Sequence, residues 1–503
     1  MKRLSFLPLL ILFALACGLA NPINPWAKSK SDNCWVDVPS NLSITCRYIT
    51  VPESRDPALA DDSNDIRLAV MRIRSTSANP APDPVIYLDG GPGGYTIEFA
   101  DFYISEFADI LATRDLILFD QRGVGYSEPN LSCPNVTEMS YDLLDDDLSY
   151  VEANTLYNEA YFTCRETLLA QGANLYAYTS AENAADVRAI AEAFGYEQVN
   201  LFGISYGTRL ALTVMRDHPD IVRSVVLDAV YPPNVDSEEV FLLNMQRAFD
   251  KLFDGCAQDP DCNAQYPDLE TVFHDTVDRL NETPELIRGY FDGYTGVRRD
   301  VLVNGDLLIG QLFSLLYGTS DIPAIPGYIY AASEGDYEGF LDDAMFSLYF
   351  NQYFSDGMYY FMECYEEVGF NDGNEVLASL DRVPPQIETY YTANDDSNAD
   401  DYIEFCARWT DNQFADPIEN AAVVSDIPTL VTVGEYDPIT PPEWALIAAE
   451  TLSNHYYYEY PGVGHSAYFG GNCPARMIVA FIEDPTRAPD DSCLASMSGP
   501  DFQ

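Results

Sequence analysis

Five residues, Gly203-Ile204-Ser205-Tyr206-Gly207, set a serine between two glycines where an apolar run, Val199-Asn200-Leu201-Phe202, gives way to a helical pattern. Strand, tight turn and helix in that order describe a nucleophile elbow, which lifts a serine hydroxyl clear of a sheet. A Gly-x-Ser-x-Gly match alone is weak, since roughly 0.15 would arise by chance in a chain this long. The flanking pattern is what gives it weight, and an ordinary glycine turn with a surface serine is the bland alternative. Serine is a poor nucleophile until a base takes its proton. Of four histidines, His465 lies in Gly462-Val463-Gly464-His465-Ser466, on a glycine-rich loop past the last strand-like run. His218 falls at a helix end, His274 within a helical region and His455 at the start of that run, so His465 is the candidate base.

An imidazole in that role needs a carboxylate to fix its tautomer and stabilise the imidazolium. Asp437, in Glu435-Tyr436-Asp437-Pro438-Ile439-Thr440-Pro441-Pro442, follows an apolar run and sits in a proline-stiffened loop. Glu435 and Asp228 compete for the role. The oxyanion formed on attack needs preorganised N–H donors. Tyr206, the residue after the serine, supplies one, and Gly91 in Gly90-Gly91-Pro92-Gly93-Gly94 the other. A phosphate cradle is the alternative use of that loop, but the Gly-Lys-Ser/Thr ending is missing. Asp120 and Arg122 are expected to brace the adjoining loop.

These residues must be carried by something rigid. Arg47–Pro52, Ile66–Ile73, Val85–Leu88, Asp115–Phe119, the elbow run, Ser224–Asp228, Pro428–Gly434 and Tyr456–Tyr460 read as strands. Helical patterns at 151–169, 181–194, after the elbow and at 441–452 alternate with them. Apolar strands alternating with helices predict an α/β fold, with a mostly parallel central sheet covered on both faces. From about 232 to about 419 the pattern turns mainly helical and rich in tyrosine and phenylalanine, which reads as a lid inserted late in the sheet. The expected organisation is a leader at 1–20, a first core part at 21–231, the lid at 232–419 and a second core part at 420–503. Asp145-Asp146-Asp147 and Asp395-Asp396 read as solvated acidic loops.

Composition narrows the partners. With 80 acidic against 26 basic residues, the 503-residue chain carries a net charge of −54. Such a surface repels polyanions, which excludes phosphate-driven nucleic-acid binding. Spread along the whole chain, the acidity is read as a solvation device for salty surroundings in preference to a trap for cationic ligands. Lys2 and Arg3, the apolar run Leu4–Ala16 and Gly18-Leu19-Ala20 read as a secretory leader. Cys17 would be a lipidation site, but Leu15 stands where a small residue is usual, so the expectation is cleavage and a secreted or periplasmic protein without a membrane span. The ten remaining cysteines, even in number, suit disulfides in an oxidising compartment. Sequence does not fix their connectivity; neighbours in order give Cys34–Cys46, Cys133–Cys164, Cys256–Cys262, Cys364–Cys406 and Cys473–Cys493. No C-x-x-C pair and no histidine cluster points to a metal, and the chemistry requires no cofactor.

Taken together, Gly-Gly-Pro-Gly-Gly (90–94), Asp-Gln-Arg-Gly-Val-Gly-Tyr-Ser (120–127), Gly-Ile-Ser-Tyr-Gly-Thr (203–208), Asp-Pro-Ile-Thr-Pro-Pro (437–442) and Gly-Val-Gly-His-Ser (462–466) resemble the prolyl and tripeptidyl aminopeptidase family of serine α/β-hydrolases, most of all its exported bacterial tripeptidyl aminopeptidases. The order Ser205, Asp437, His465 is that of the α/β-hydrolase fold. Cys364-Tyr365-Glu366-Glu367 resembles the family's lid motif, Cys406-Ala407-Arg408-Trp409 its disulfide partner, and Cys473 with Cys493 its C-terminal clip. The resemblance implies a serine exopeptidase acting on peptides with a free N-terminus, whose amino group is held by lid carboxylates, by position Glu366 and then Glu367. Asp89 departs from the histidine usual before Gly-Gly-Pro-Gly in prolyl aminopeptidases, which puts single-proline specificity in doubt. An esterase with the same three residues, or a binding protein on a hydrolase scaffold, are the rival expectations.

Overall fold

A computed structural model describes residues 28–29, 34–56, 64–148, 150–392 and 398–502. The leader, Cys17 and Asp395-Asp396 lie outside the described residues. Eight strands form the central sheet: β1 (Ile44–Pro52), β2 (Asp65–Ile73), β3 (Val85–Leu88), β4 (Leu116–Phe119), β5 (Val199–Ser205), β6 (Val222–Val230), β7 (Thr429–Gly434) and β8 (His455–Tyr460). Their order across the sheet is β8-β7-β6-β5-β3-β4-β2-β1. The six strands from β8 to β4 run parallel, while β2 lies antiparallel to both β4 and β1.

The apolar runs owe their place to burial on both faces. Every residue of β3, β4, β5 and β7 is buried, the signature of a parallel sheet between two helical layers. Alternate residues of one strand enter different hydrophobic clusters. Ile86 and Leu88 join one with α2 (Ser180–Phe194) and α3 (Tyr206–Asp217), after α1 (Tyr150–Ala170) in the chain; Val85 and Tyr87 join another with the helices Ala100–Glu106 and Asn472–Glu483. Local signals set the ends of α2. The Thr179 side chain accepts from Glu182 N–H at the start, and Gly195 stops the helix at φ 77°, a cap at each end.

The stretch between β6 and β7 is helical for most of its length, and it has two parts. The helices Ser237–Gln258, Leu269–Glu282, Gly305–Leu315, Ile325–Ser333 and Glu338–Phe350 contribute to a hydrophobic cluster of their own. Met358–Met362, Cys364, Val368, Phe405, Cys406 and Trp409 instead share the cluster of α3 and the sheet. The insertion also contains an antiparallel hairpin, Glu285–Asp292 with Val297–Val303, which the helical expectation passed over.

Sulfur atoms lie at bonding distance in five pairs: Cys34–Cys46, Cys133–Cys164, Cys256–Cys262, Cys364–Cys406 and Cys473–Cys493. All five close local loops, of which Cys364–Cys406, 42 residues apart, is the widest. Among the described residues, no helix is long and apolar enough to cross a membrane.

Candidate active site

A parallel sheet delivers the ends of its strands and the loops that follow them to one edge; Gly91, Ser205, Asp437 and His465 stand there, while Glu366 and Glu367 come from the insertion. Ser205 ends β5 with φ 56° and ψ −127°, a conformation that costs a non-glycine residue about 1–3 kcal/mol. The turn tolerates no side chain on either flank. A Cβ at Gly203 would sit 2.3 Å from the Gly207 carbonyl oxygen, and one at Gly207 would sit 2.0 Å from that of Leu88 at the end of β3. Ser205 is buried. Its carbonyl accepts the Thr208 hydroxyl at 2.6 Å, and the same hydroxyl accepts Tyr231 N–H at 2.8 Å. The elbow is thereby tied to the end of β6, where Val230 is the register partner of Ser205.

Asp437 and His465 follow β7 and β8, which pair through Gly434 and Tyr460. His465 Nδ1 lies 2.9 Å from Asp437 Oδ2 and 3.2 Å from Thr440 Oγ1. Asp437 is fully buried. Its Oδ1 accepts Ile439 and Thr440 N–H at 3.0 and 2.8 Å, its Oδ2 accepts the Thr440 hydroxyl at 2.8 Å, and its carbonyl accepts Arg247. The imidazole packs edge-on against Tyr317 at 5.1 Å, and His465 N–H donates to the Tyr317 carbonyl at 2.9 Å. With Nδ1 facing a carboxylate, the ring carries its proton there and presents Nε2 as the acceptor.

The competing acids have other duties. Glu435 accepts Gly462 N–H at 3.0 Å and pairs with Lys251. Asp228 accepts Ser466 Oγ, Ala467 N–H, Tyr468 N–H and Thr432 Oγ1 at 2.7–3.0 Å. It fastens the chain immediately after His465.

Gly91 has φ +122°, and a Cβ there would meet Gly93 N at 2.4 Å. Gly90 N–H donates to Asp89 and Gly94 N–H to the Gly90 carbonyl. Among the described residues, Gly91 N–H donates to no protein acceptor, and so is available to a bound oxygen. The insertion closes over this loop: Ser355 N–H donates to Gly93 O at 2.9 Å and Tyr95 N–H to Tyr353 O at 3.3 Å. Asp120 accepts Thr96, Ile97 and Tyr126 N–H, and Arg122 is buried against Asp186 and the Glu53 and Ala177 carbonyls.

An elbow serine, a carboxylate-bound imidazole and a glycine loop on one sheet edge agree with what known proteins share with this chain. A family model described as alpha/beta hydrolase fold matches residues 83–283, and one described as TAP-like protein matches residues 391–493. The chain has the α/β-hydrolase fold, and its C-terminal part is similar to TAP-like proteins. It is 24% identical to serine protease Hip1 of Mycobacterium tuberculosis over 94% of this chain and 90% of that one. To the putative hydrolase YuaR of Escherichia coli it is 23% identical over 96% and 92%. A tripeptidyl aminopeptidase of Streptomyces coelicolor is 32% identical over 41% of this chain and 38% of its own.

In this α/β-hydrolase the lid turn Glu363–Glu367 lies against α3. Both Glu366 oxygens accept from Ser180, one from N–H and one from the hydroxyl, each at 2.6 Å; that hydroxyl is 3.0 Å from the Tyr206 phenol. Burial, with the charge of Glu419, pushes the Glu366 carboxyl up to about 7. Glu367 pairs with Arg209 at 2.7 Å and accepts Ser237 N–H at 2.8 Å. Sequence reasoning passed over Glu363. Its carboxylate accepts the Tyr231 phenol at 3.2 Å, next to the register partner of Ser205, and burial with the charge of Glu367 pushes it up to about 8. The signal in the sequence is its place beside Cys364, on the side opposite to the two acids of the lid motif.

Proposed function

We propose that this chain is a serine exopeptidase that releases one residue or a short peptide from free N-termini through an acyl-enzyme. The observation that carries this is His465 Nδ1 held 2.9 Å from buried Asp437, on the sheet edge that also bears Ser205 in its strained turn. Ser205 attacks the scissile carbonyl, and His465 takes its proton and returns it to the leaving amine. Asp437 holds the tautomer and stabilises the imidazolium. Gly91 and Tyr206 N–H groups receive the oxyanion, each donor contributing about 2.7–4 kcal/mol in the transition state.

The amino end is assigned to the lid turn. Of its three acids, Glu363 meets the ammonium, while Glu366 and Glu367 fix the turn on α3. The relatives named serine protease and tripeptidyl aminopeptidase support a peptide substrate, and five disulfides support an oxidising compartment, secreted or periplasmic. Comparing kcat/KM on a free-amine tripeptide nitroanilide, its N-acetyl counterpart, a single-residue nitroanilide and p-nitrophenyl butyrate tests the proposal. Turnover of the ester with no turnover of any amide would sink it in favour of an esterase, and equal rates on free and acetylated amines would remove the amino-end recognition.

A further inference from the structure

We infer that Asp89 is a positioning residue for the oxyanion-binding loop, acting as a staple across its two ends; this rests on the serine exopeptidase reading above. Asp89 immediately follows β3 and is buried. Its Oδ1 accepts Gly90 N–H at 2.9 Å, at the start of the glycine loop. Its Oδ2 accepts the Thr96 hydroxyl at 3.0 Å, at the loop's far end. The remaining acceptor sites are filled by the phenols of Tyr87 at 3.1 Å and Tyr103 at 2.9 Å. Four donors on one carboxylate use the full acceptor capacity of that group, which no serine or threonine at this position would offer.

The staple decides which N–H of the loop is free to meet an oxygen. With Gly90 N–H turned in to Asp89 and Gly94 N–H turned back to Gly90 O, the amides of Gly91 and Gly93 remain, and Gly91, nearer the end of β3, is the one assigned to the site. A second carboxylate completes the frame: Asp120 accepts Thr96 and Ile97 N–H at 2.9 Å each, just beyond the point that Asp89 holds. The Asp89 carbonyl accepts Gln121 Nε2 at 3.0 Å, and a Cβ at Gly207 would come within 2.9 Å of it. The loop and the elbow are therefore registered against the same residue. Asp89 touches no reacting atom; it acts through Gly90 and Thr96. The histidine usual at this position in prolyl aminopeptidases has two ring nitrogens and could not close the same four bonds.

The variants Asp89→Ala, Asp89→Asn, Thr96→Val and Tyr103→Phe separate this role from bulk stability. Each is measured for kcat and KM on a free-amine peptide nitroanilide, and for Ki of a peptide boronic acid whose tetrahedral adduct places an oxygen where the oxyanion forms. A displaced catalytic group of about 1 Å costs on the order of 100-fold, so Asp89→Ala lowers kcat by about 30- to 100-fold with KM within about threefold. The boronate Ki rises by the same factor, and Asp89→Asn, which keeps an acceptor for Gly90 N–H, recovers about tenfold of the loss. Should Asp89→Ala fail to fold, Thr96→Val and Tyr103→Phe each remove one bond to Asp89, and a smaller proportional fall in kcat and boronate affinity is expected. Unchanged kcat and Ki in the variants that fold, or a loss confined to KM, overturns the inference. An inactive wild type that also resists a fluorophosphonate at Ser205 would take down the exopeptidase reading and this inference together, whereas an active wild type with indifferent Asp89 variants sinks this inference alone.

Discussion

Replacing Arg209 by methionine isolates the contact that locks the lid turn to the nucleophile helix. Arg209 and Glu367 side chains are 3% and 1% exposed and 2.7 Å apart. Arg209 also donates to the Glu366 carbonyl at 3.0 Å and to that of Glu419 at 3.3 Å. Arg209→Met keeps the apolar stem and removes the cation, leaving Glu367 buried with Ser237 N–H and Asn371 as partners. Removing one member of a buried pair costs about 3–5 kcal/mol. An unfolding entropy of about 2.1 cal/mol/K per residue gives roughly 1 kcal/mol/K for a chain of this length, so Tm falls by about 3–5 °C. Arg209→Met combined with Glu367→Met restores at least half of that loss, because the second change removes the stranded acid. Scanning calorimetry of wild type, both single variants and the double at pH 8 is the assay. A Tm for Arg209→Met within 1 °C of wild type at pH 8 refutes the reasoning, as does a double variant no more stable than the worse single one.

Four further outcomes follow from the site and from the charge. Asp437→Asn leaves the fold intact but gives His465 Nδ1 an amide in place of a carboxylate, so kcat falls by about 10⁴; steady-state kinetics with circular dichroism as the fold control checks this. Glu363, raised to about 8 by burial, is neutral at pH 6 and must lose its proton to hold an ammonium, so KM for free-amine peptides falls as pH rises from 6 towards 8 while KM for N-acetyl peptides stays flat. The same raised value makes folding less favourable as pH climbs from the unfolded carboxyl's range through about 8, so the drop in Tm between pH 5 and 8 is smaller in Glu363→Gln. Finally, at a net charge of −54, screening weakens self-repulsion, and both Tm and kcat/KM hold or rise as NaCl goes from low to molar levels; a steep fall would show that the acidity serves to attract cations.

Those parts of the fold that depend on two-sided burial were readable from apolar runs. Val85–Leu88 has no polar residue, and its strand matches the sequence expectation residue for residue. The hairpin at 285–303 was missed because its strands are mostly half-buried and carry charge, so no apolar run marks them. The turn Asp292-Gly293-Tyr294-Thr295-Gly296 between β-favouring stretches was the available clue. Ser205, Asp437 and His465 stood out because glycine and proline punctuate their loops. Glu363 and Arg209 did not, and Asp89 did only as a departure in residue type, since their roles rest on partners more than a hundred residues away or on which oxygen meets which donor. A pattern in one dimension cannot report that Asp89 binds both Gly90 and Thr96 while Glu366 faces Ser180.

The central claim is that Ser205 is made reactive by His465 and Asp437. Mass spectrometry of the peptide containing Ser205 after treatment with a fluorophosphonate measures it directly. The account predicts a stoichiometric adduct on Ser205 in the wild type, slowed by at least a thousandfold in His465→Ala and absent in Ser205→Ala. No adduct on the wild-type serine, or labelling that proceeds equally without His465, would contradict it.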